Sequence, residues 1–361
     1  MKFKNPIDSV LKNKTSYFSP DVDNSIAISS RVRLARNLAQ YHFPVSASIQ
    51  ELATVCNLVE EAISNTNAAG KNSMLFYMDE LSELDREILY ERRLISSKLM
   101  MNPLTRGLCL SSNEQLAIMI NEEDHLRIQS FVPGFQLEKA YRKASRADDK
   151  LNSMLEFAFD QKLGYLSSCL SNTGTGMRAS VMLHLPGLSL TGELESTLRA
   201  LDKLNFAVRG IFGEGSENAG ALYQISNQIT LGDSEEEILE KISATIKQII
   251  IYEQNARERM LAKKQSKLLD YIGRSYGLLK YSYLLHSKET LNALSGIKLG
   301  VDMGIFSNVN KEMVQKIYIN SGAAHLEKIH GGPFENNETK NIFRADFVRE
   351  TLRSHIADEE K

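Results

Sequence analysis

The sequence predicts an α+β fold with two domains, because the apolar patterning changes along the chain. Short stretches of apolar alternation, typical of strands, are mixed with helical periodicity up to about residue 255. Beyond that point the strand signals fade and helical patterns continue. A chain of 361 residues is long enough for two domains. We predict a mixed domain over residues 1–253 and an all-α C-terminal domain over residues 254–361.

Composition and charge narrow the class of protein. The formal net charge of −2 gives no overall attraction to nucleic acid or to an anionic membrane. No apolar run reaches bilayer-spanning length, and the first residues lack the apolar core of a secretory signal. Three widely spaced cysteines argue against a disulfide framework or a Cys-x-x-Cys metal site. We expect a cytoplasmic protein with no nucleic-acid partner, no membrane partner and no dedicated metal site.

The first predicted strand carries arginines at alternate positions. Apolar residues 26–28 lead into the run 29–33, Ser-Ser-Arg-Val-Arg. Because side chains alternate along a strand, Arg31 and Arg33 share one face. Two guanidinium groups on one face repel each other unless an anion lies between them. An anion site and a charged, exposed sheet edge explain the pattern equally well at this point.

Helical periodicity follows over residues 48–65 and again over residues 84–99, with a short predicted strand at residues 75–77 between them. In the second helix, the run Glu91-Arg92-Arg93 is most simply the solvated face.

The densest cluster of charge is the run 121–127, Asn-Glu-Glu-Asp-His-Leu-Arg. Apolar residues before it and alternation after it predict a strand, a polar turn and a second strand. Carboxylates at the end of a buried sheet are costly unless partners compensate for them. The turn is either a solvated hairpin tip or a place where Glu122 and Glu123 hold a positive group. This segment alone favours the hairpin tip.

A long helix is predicted from Leu137 to Phe159, and a loop with glycines comes after it. Residues 174–179, Gly-Thr-Gly-Met-Arg-Ala, fit the dinucleotide-binding pattern Gly-x-Gly-x-x-Gly/Ala. That pattern must open a helix, whereas a strand-like run follows here, so we reject a dinucleotide site. The glycines still allow the backbone to approach a ligand, and Arg178 beside them favours an anion.

A second glycine-rich loop and a helix start close the mixed domain. Gly210 to Gly220 holds four glycines in eleven residues, which predicts a mobile loop. Ser234 and Glu237 form a capping box that opens a helix rich in isoleucine. The runs 249–251 and 284–285 are more apolar than a solvated helix needs, which predicts helix packing or a dimer surface.

Three of these segments together resemble a known family. The runs 29–33, 121–127 and 169–178 closely resemble motifs of the ATP:guanido phosphotransferases, which include creatine and arginine kinases. The resemblance covers about residues 20–250. It implies an antiparallel β-sheet flanked by helices, Mg-ATP held by arginines, and phosphoryl transfer to a guanidino nitrogen. No Gly-x-x-x-x-Gly-Lys-Ser/Thr loop occurs, and arginines can match phosphate oxygens bidentately instead.

Within that family, the bacterial protein-arginine kinases look most similar. Phosphagen kinases carry a helical domain before the first motif, which begins here at Ser29, whereas this sequence has a helical extension after the last one. The resemblance implies transfer of the γ-phosphoryl group of Mg-ATP to arginine residues of proteins, which marks them for stress response or degradation. The alternatives are a kinase of free arginine or another small guanidino compound, and a non-catalytic module that binds arginine or phosphoarginine.

The resemblance implies roles for individual residues. Glu122, Glu123 and Glu214 would hold the acceptor guanidinium and accept its proton, and Cys169 matches the family's reactive cysteine, with a buried inert thiol as its alternative. The matching motif positions imply ATP contacts at Ser29, Ser30, Arg31, Val32, Arg33, Arg93, Arg127, Arg178, Ala179, Ser180, Val181, Met182, Arg209, Gly210, Ile211, Phe212, Gly213 and Glu214.

Two places depart from the family pattern. Arg93 stands where these kinases usually have a nucleotide-contacting histidine. In the C-terminal domain they carry Arg-Asp-x-x-Arg-Ala, implied to bind phosphoarginine, and this sequence has Lys340, Asn341, Arg344 and Ala345 at the matching positions. Arg344 could still meet a phosphate group, but the carboxylate that would recognise the arginyl part is absent.

The resemblance also implies partners. These are protein substrates with exposed arginines, an activator protein, an AAA+ protease system and a second copy of the chain in a homodimer.

For His125 we expect a structural hydrogen bond rather than proton transfer, and for His184 core or edge packing rather than metal binding.

Overall fold

The computed structural model describes residues 6–12, 22–23, 25–210 and 219–353. The predicted site residues Ile211, Phe212, Gly213 and Glu214 lie outside these ranges. Among the described helices, none is both long enough and apolar enough to cross a bilayer.

An antiparallel sheet forms the centre of the described chain. The described strands are β1 (Ala27–Arg36), β2 (Met74–Tyr77), β3 (Gly107–Leu110), β4 (Leu116–Ile120), β5 (Leu126–Pro133), β6 (Phe159–Asp160), β7 (Gly164–Tyr165), β8 (Met177–His184), β9 (Phe206–Arg209) and β10 (Leu222–Asn227). Eight of them form the sheet in the order β2-β3-β4-β5-β1-β8-β10-β9, and β6 and β7 form a separate pair.

Helices flank the sheet and make up the C-terminal part of the described chain. They are α1 (Pro6–Lys12), α2 (Ile49–Thr66), α3 (Glu83–Glu91), α4 (Ser97–Met101), α5 (Leu137–Asn152), α6 (Pro186–Thr191), α7 (Leu194–Lys203), α8 (Glu235–Lys263), α9 (Gln265–Tyr281), α10 (Ser287–Asp302), α11 (Lys311–Asn320), α12 (Ala323–His330) and α13 (Asn337–Arg353). The antiparallel sheet, its helices and the helical C-terminal region confirm the predicted fold class.

The two faces of the central strands pack against different helices. On one face, Val32, Ile128 and Val181 belong to a core shared with α2, α5 and α8. On the other face, Phe131 and Met182 pack against α9, α10, α11 and α13. The C-terminal helices therefore cover one end of a sheet face whose other end carries the arginines.

The helix predicted over residues 84–99 is wrong as a single element. The structure has two short helices, α3 and α4, separated by a turn in which Arg93 has a φ of 60°. Ser96 then caps α4 by accepting a hydrogen bond from Leu99 N at 3.1 Å. A left-handed residue and a serine cap both interrupt helical hydrogen bonding, and apolar periodicity does not reveal either.

The solvated face predicted for Glu91, Arg92 and Arg93 is also wrong. Arg92 is buried and its Nη2 donates to both carboxylate oxygens of Glu114 at 2.9 and 3.0 Å. The carboxylate of Glu91 accepts hydrogen bonds from the first backbone amides of α12. The polar turn at residues 91–93 therefore makes tertiary contacts with other parts of the fold.

Two other predicted boundaries, a helix end and a domain boundary, differ from the observed elements. The helix predicted from Leu137 to Phe159 ends at Asn152, and the chain then forms the β6–β7 pair. The predicted domain boundary between residues 253 and 254 falls inside α8, which is continuous from Glu235 to Lys263. Glu253 is fully buried there and accepts hydrogen bonds from Gly187 N and Leu188 N. The division into two domains stays a prediction.

Candidate active site

The central strands bring predicted arginines together on one sheet face. In the register of β1, Arg33 lies opposite Gln129 of β5 on one side and Arg178 of β8 on the other. Arg127 of β5 lies opposite Ala35, which is two residues after Arg33 on β1, so Arg127 is on the same face as Arg33. Alternation along antiparallel strands thus aligns side chains that are far apart in the sequence.

Burial and the mutual repulsion of these cations lower the pKa of the arginines at the centre of the face. Burial, together with the charges of Arg127, Arg93, Arg178 and Arg209, lowers the pKa of Arg31 well below its usual value. Burial and the charges of Arg127, Arg31 and Arg178 do the same to Arg33. A bound anion would offset the repulsion, since a nearby negative charge favours the charged form of each arginine. Among the two explanations for the first strand, the anion site is the one that this clustering favours.

Neutral groups orient Arg31. Its Nη2 donates to Gln224 Oε1 at 2.7 Å and its Nε donates to Ser180 Oγ at 3.3 Å. The guanidinium also lies over the ring of Phe131, with 5.4 Å between its central carbon and the ring centroid. Such partners fix the direction of a guanidinium without cancelling its charge.

Glu122 is buried at the end of β4 and is bound from several sides. Oε1 accepts from Arg127 Nη1 at 3.0 Å and from the hydroxyl of Ser96, and Oε2 accepts from Glu123 N at 2.9 Å. Burial opposes ionisation, but the charge of Arg127 and these hydrogen bonds outweigh it and lower the pKa of Glu122. The carboxylate is therefore ionised and fixed, and it also ties Arg127 to the turn.

Glu123 is the accessible carboxylate of the turn. Its side chain is 31% exposed, and Oε1 accepts from Lys98 Nζ at 3.1 Å. The lysine side chain is 57% exposed. An ion pair between such exposed groups is weak, so another cation can replace the lysine at small cost.

Asp124 anchors a neighbouring loop. Oδ1 accepts from Asn37 Nδ2 at 2.6 Å and from Ser168 N at 2.7 Å, while Oδ2 accepts from Ser167 Oγ at 2.8 Å. These bonds connect the acidic turn to the segment that leads into Cys169. The third acid of the turn thus supports the geometry of the site.

Cys169 is partly exposed beside the cleft, and its Sγ lies 3.1 Å from Ser171 Oγ. The loop after it is tightly packed, because a Cβ on Gly174 would lie 2.1 Å from Thr230 O, and the φ of Gly174 is +114°. Only glycine fits there without moving the backbone. Cys169 is thus not the buried thiol of the alternative, unlike Cys56 and Cys109, while its reactivity stays a prediction.

The two histidines have structural environments, as predicted. His125 is buried, with Nδ1 accepting from Leu38 N at 3.1 Å and Nε2 at 3.1 Å from His42 O. Burial lowers the pKa of His125 to about 4, so the ring is neutral. His184 is buried and its Nε2 lies 2.7 Å from Ser295 Oγ.

An open cleft lies between the arginine face and the acidic turn. One part, of about 680 Å³, is lined by Arg31, Arg93 and Gln224 together with residues of α10, α11 and α12. An adjoining part, of about 610 Å³, is lined by Cys169 and Arg178. Both parts share the residues Arg33, Lys98, Glu122, Glu123, Arg127 and Arg209.

The side chains of other residues predicted to contact ATP point away from the cleft. Val32, Ala179 and Val181 pack in the core on the opposite face. The hydroxyl of Ser30 donates to Gly134 O and accepts from Gln136 N, each at 2.8 Å. Three more of the predicted ATP contacts are buried: Ser29 lies opposite Pro133, Met182 packs against the C-terminal helices, and Gly210 lies at the end of β9.

Several residues that line or support the cleft are not among those predicted from the sequence. Ser96 and Lys98 reach the acidic turn from α4, and Gln224 reaches Arg31 from β10. A serine before a short helix and alternation along the strand 222–228 were the available signals for Ser96 and Gln224. Tyr318, which contacts Arg93 from 225 positions away, had none.

The predicted phosphoarginine positions all lie on α13, among the C-terminal helices. Arg344 is buried and donates to Ser321 O and Leu285 O at 2.9 Å each, and to Asn341 Oδ1 at 2.5 Å. Ala345 is fully buried, and Lys340 is partly buried. Much of the hydrogen-bonding capacity of Arg344 therefore serves the packing of the C-terminal helices.

Family models and relatives match nearly the whole chain. The model described as ATP:guanido phosphotransferase, C-terminal catalytic domain, matches residues 54–256, and the model described as Protein-arginine kinase McsB C-terminal domain matches residues 265–361. A protein-arginine kinase from Halothermothrix orenii is 42% identical over 98% of this chain and 99% of its own. Those from Clostridium kluyveri and Bacillus subtilis are 44% identical (92% of this chain, 96% of theirs) and 39% identical (98% and 96%).

Solved structures share the fold. A duplicated taurocyamine kinase from Schistosoma mansoni with bound transition state analogue components aligns with a TM-score of 0.58 and 25% identity, over 67% of this chain and 35% of that one. A lombricine kinase aligns with a TM-score of 0.55 and 26% identity, over 69% of this chain and 70% of that one.

Proposed function

Because the chain belongs to the ATP:guanido phosphotransferase family and is a protein-arginine kinase that uses ATP, we propose that the cleft holds both reactants. The nucleotide phosphates would lie on the arginine face, and the arginine side chain of a protein would lie on the acidic turn. The observation that carries this assignment is the opposition of the two charged surfaces: Arg33, Arg127 and Arg209 line the same open cleft as Glu122 and Glu123.

Glu123 is proposed to bind the acceptor guanidinium. The substrate cation would replace Lys98 in the exposed ion pair and form charge-assisted hydrogen bonds with the carboxylate. A guanidinium is a poor nucleophile because its pKa is above ~12, so a base must take a proton as the N–P bond forms. Glu123 would accept that proton, and Glu214 would contribute from the 211–218 segment. Such a base is typically worth about 10²–10⁴-fold in rate.

Glu122 is proposed to act differently from Glu123. It is buried and paired with Arg127, so it would orient this arginine toward the phosphates. Because the pKa of Glu122 is lowered, its carboxylate would stay ionised while it holds Arg127.

The arginines are proposed to bind and stabilise the transferring phosphoryl group. Arg31, Arg33, Arg127, Arg178 and Arg209 would donate to phosphate oxygens, where charge develops during transfer. Mg²⁺ would enter with the nucleotide and neutralise phosphate charge. A face built of guanidinium donors offers a metal ion few ligands, so phosphate oxygens and water would coordinate it, as is common for Mg²⁺.

Cys169 is proposed to lie beside the acceptor. It lines the part of the cleft that also contains Glu123 and Arg178, and its loop is tied to the acidic turn through Asp124. A thiol in that part of the cleft would contact the substrate guanidinium that Glu123 holds.

We also propose an activator protein, an AAA+ protease system and a role in stress response. These three are implied by the resemblance to the family alone. For a homodimer, a supporting feature is the partial exposure of Ile251, Leu261 and Leu269 on α8 and α9, each more than 40% exposed. Apolar side chains of this kind favour contact with another chain.

A competition experiment tests the proposed function. The protein is incubated with Mg-ATP, free arginine and an unfolded protein in one sample, which is then analysed by mass spectrometry at neutral pH. We expect acid-labile phosphate on arginines of the protein and its loss in Glu123→Gln. Rapid phosphorylation of free arginine without protein labelling would instead establish a small-guanidine kinase.

A further inference from the structure

The C-terminal helices contribute one wall of the cleft. Ser287, Leu291, Tyr318 and Gly322 line the part that also contains Arg31 and Arg93. The nucleotide region is therefore bounded by two parts of the chain that are distant in sequence.

The turn after α3 is where these parts meet. Arg93 Nη2 donates to the hydroxyl of Tyr318 on α11 at 2.9 Å. Two residues earlier, Glu91 accepts from Ala324 N at 2.9 Å, from His325 N at 3.1 Å and from His325 Nδ1 at 2.6 Å. A carboxylate at a helix N-terminus is a favourable arrangement, so the turn is held firmly against α12.

The backbone of Arg93 is held as well. Its φ is 60°, an unusual value for a residue with a side chain, and its carbonyl oxygen accepts from Gln129 Nε2 at 2.9 Å. Gln129 lies opposite Arg33 in the sheet. The backbone of Arg93 is thus held by β5, and its side chain by α11.

The two neighbouring arginines have different kinds of partner. Arg92 pairs with the carboxylate of Glu114, which cancels its charge. Arg93 donates to a phenol, and burial raises the pKa of Tyr318, so this hydroxyl stays neutral. The phenol directs the guanidinium of Arg93 without adding a negative charge, and the charge of Arg93 acts on Arg31.

We propose that Tyr318 is a positioning residue for ATP binding: its hydroxyl holds Arg93 in the arginine cluster, so that the C-terminal helices set the affinity of the cleft for nucleotide. The inference rests on the proposed function, because it takes the cluster to be the phosphate-binding face. Tyr318 takes part in no chemical step and acts only through Arg93.

The test compares Tyr318→Phe with the control Tyr276→Phe. Tyr276 lies in the same helical region, packs against Phe306 and accepts a hydrogen bond from Asn308 at 3.5 Å, but it does not line the cleft. Equilibrium binding of Mg-ATP and the KM for ATP are measured at saturating protein substrate. We expect Tyr318→Phe to weaken Mg-ATP binding and raise the KM about ten-fold, the size of a lost hydrogen bond to a charged group, with kcat within about three-fold. The control should stay within about two-fold in both.

A double substitution separates positioning from a general structural effect. If Tyr318 acts through Arg93, the affinity of Arg93→Met for Mg-ATP should not fall further when Tyr318→Phe is added. Unchanged affinity in Tyr318→Phe, or an equal loss in the Arg93→Met background, would overturn the inference. Wild-type protein that binds Mg-ATP but forms no phosphoarginine would defeat the proposed function, while the binding comparison would still decide the role of Tyr318.

Discussion

The arginines of the cleft and the arginine of the C-terminal helices differ in how their guanidinium groups are satisfied. Arg31 and Arg33 lie among other cations, and burial with this repulsion lowers the pKa of both. Arg344 lies among oxygen acceptors from Ser321, Leu285 and Asn341. A guanidinium whose hydrogen bonds are made within the fold stabilises the fold. A cluster of like charges is unfavourable until an anion arrives, and is therefore suited to binding.

The comparison predicts its largest effect for Arg33→Met. Phosphoryl-transfer activity should fall by roughly 10³-fold or more, by analogy with arginines that stabilise the transferring group. The melting temperature should not fall, because the substitution removes a repelled charge. Activity assays and calorimetry on the same sample measure both. A large drop in melting temperature with activity preserved would reverse the assignment of this arginine.

For Arg344→Met we expect the opposite pattern. Three buried acceptors lose their donor, which should lower the free energy of unfolding by about 3 kcal/mol. Activity without added phosphoarginine, measured well below the melting temperature, should stay within a few-fold. Urea denaturation gives the stability, and Arg353→Met, at the exposed end of the same helix, is the control. Equal effects of the two substitutions would contradict a structural role for Arg344.

Glu122→Gln should show a pH-dependent loss of stability on the order of 1 kcal/mol at neutral pH. The pKa of Glu122 is lowered in the folded protein from an ordinary value of 4.5. Its contribution is therefore present above pH 4.5 and is lost as the pH falls through the folded pKa. Denaturation curves should show the difference from wild type shrinking below pH 4.5. A difference that grows in acid would contradict the low pKa.

The smallest effect is expected for Lys98→Met. Because the pair with Glu123 is exposed, its loss should change the stability by less than about 1 kcal/mol. The KM for the arginine substrate should fall up to a few-fold, since the substrate no longer competes with a resident cation. Steady-state kinetics at fixed Mg-ATP measure this, with Lys98→Arg as the charge-preserving control. A raised KM in Lys98→Met would show that the lysine assists binding.

The sequence predicts best those features that depend on local periodicity. Alternation places Arg31 and Arg33 on one face, and the capping box of Ser234 marks the start of α8. The break between α3 and α4 escapes this reasoning, because it depends on a left-handed backbone at Arg93 that Gln129 supports from another strand.

Long-range polar partners are the second class of feature that the sequence hides. Charge runs are usually solvated, yet Arg92 is buried against Glu114 and Glu91 binds the start of α12. Asp124 looks like one more acid of the turn and instead anchors the loop of Cys169. Each of these roles is set by a partner that comes close only in the folded chain.

The most direct test separates nucleotide binding from turnover in Glu123→Gln. Calorimetric titration measures the affinity for Mg-ATP, and mass spectrometry at neutral pH measures phosphoarginine formed on a protein substrate. We expect nucleotide affinity within about two-fold of wild type and turnover reduced by about 10²–10⁴-fold, the usual contribution of a positioned base. Turnover close to wild type, or a loss of Mg-ATP binding equal to the loss of turnover, would contradict it.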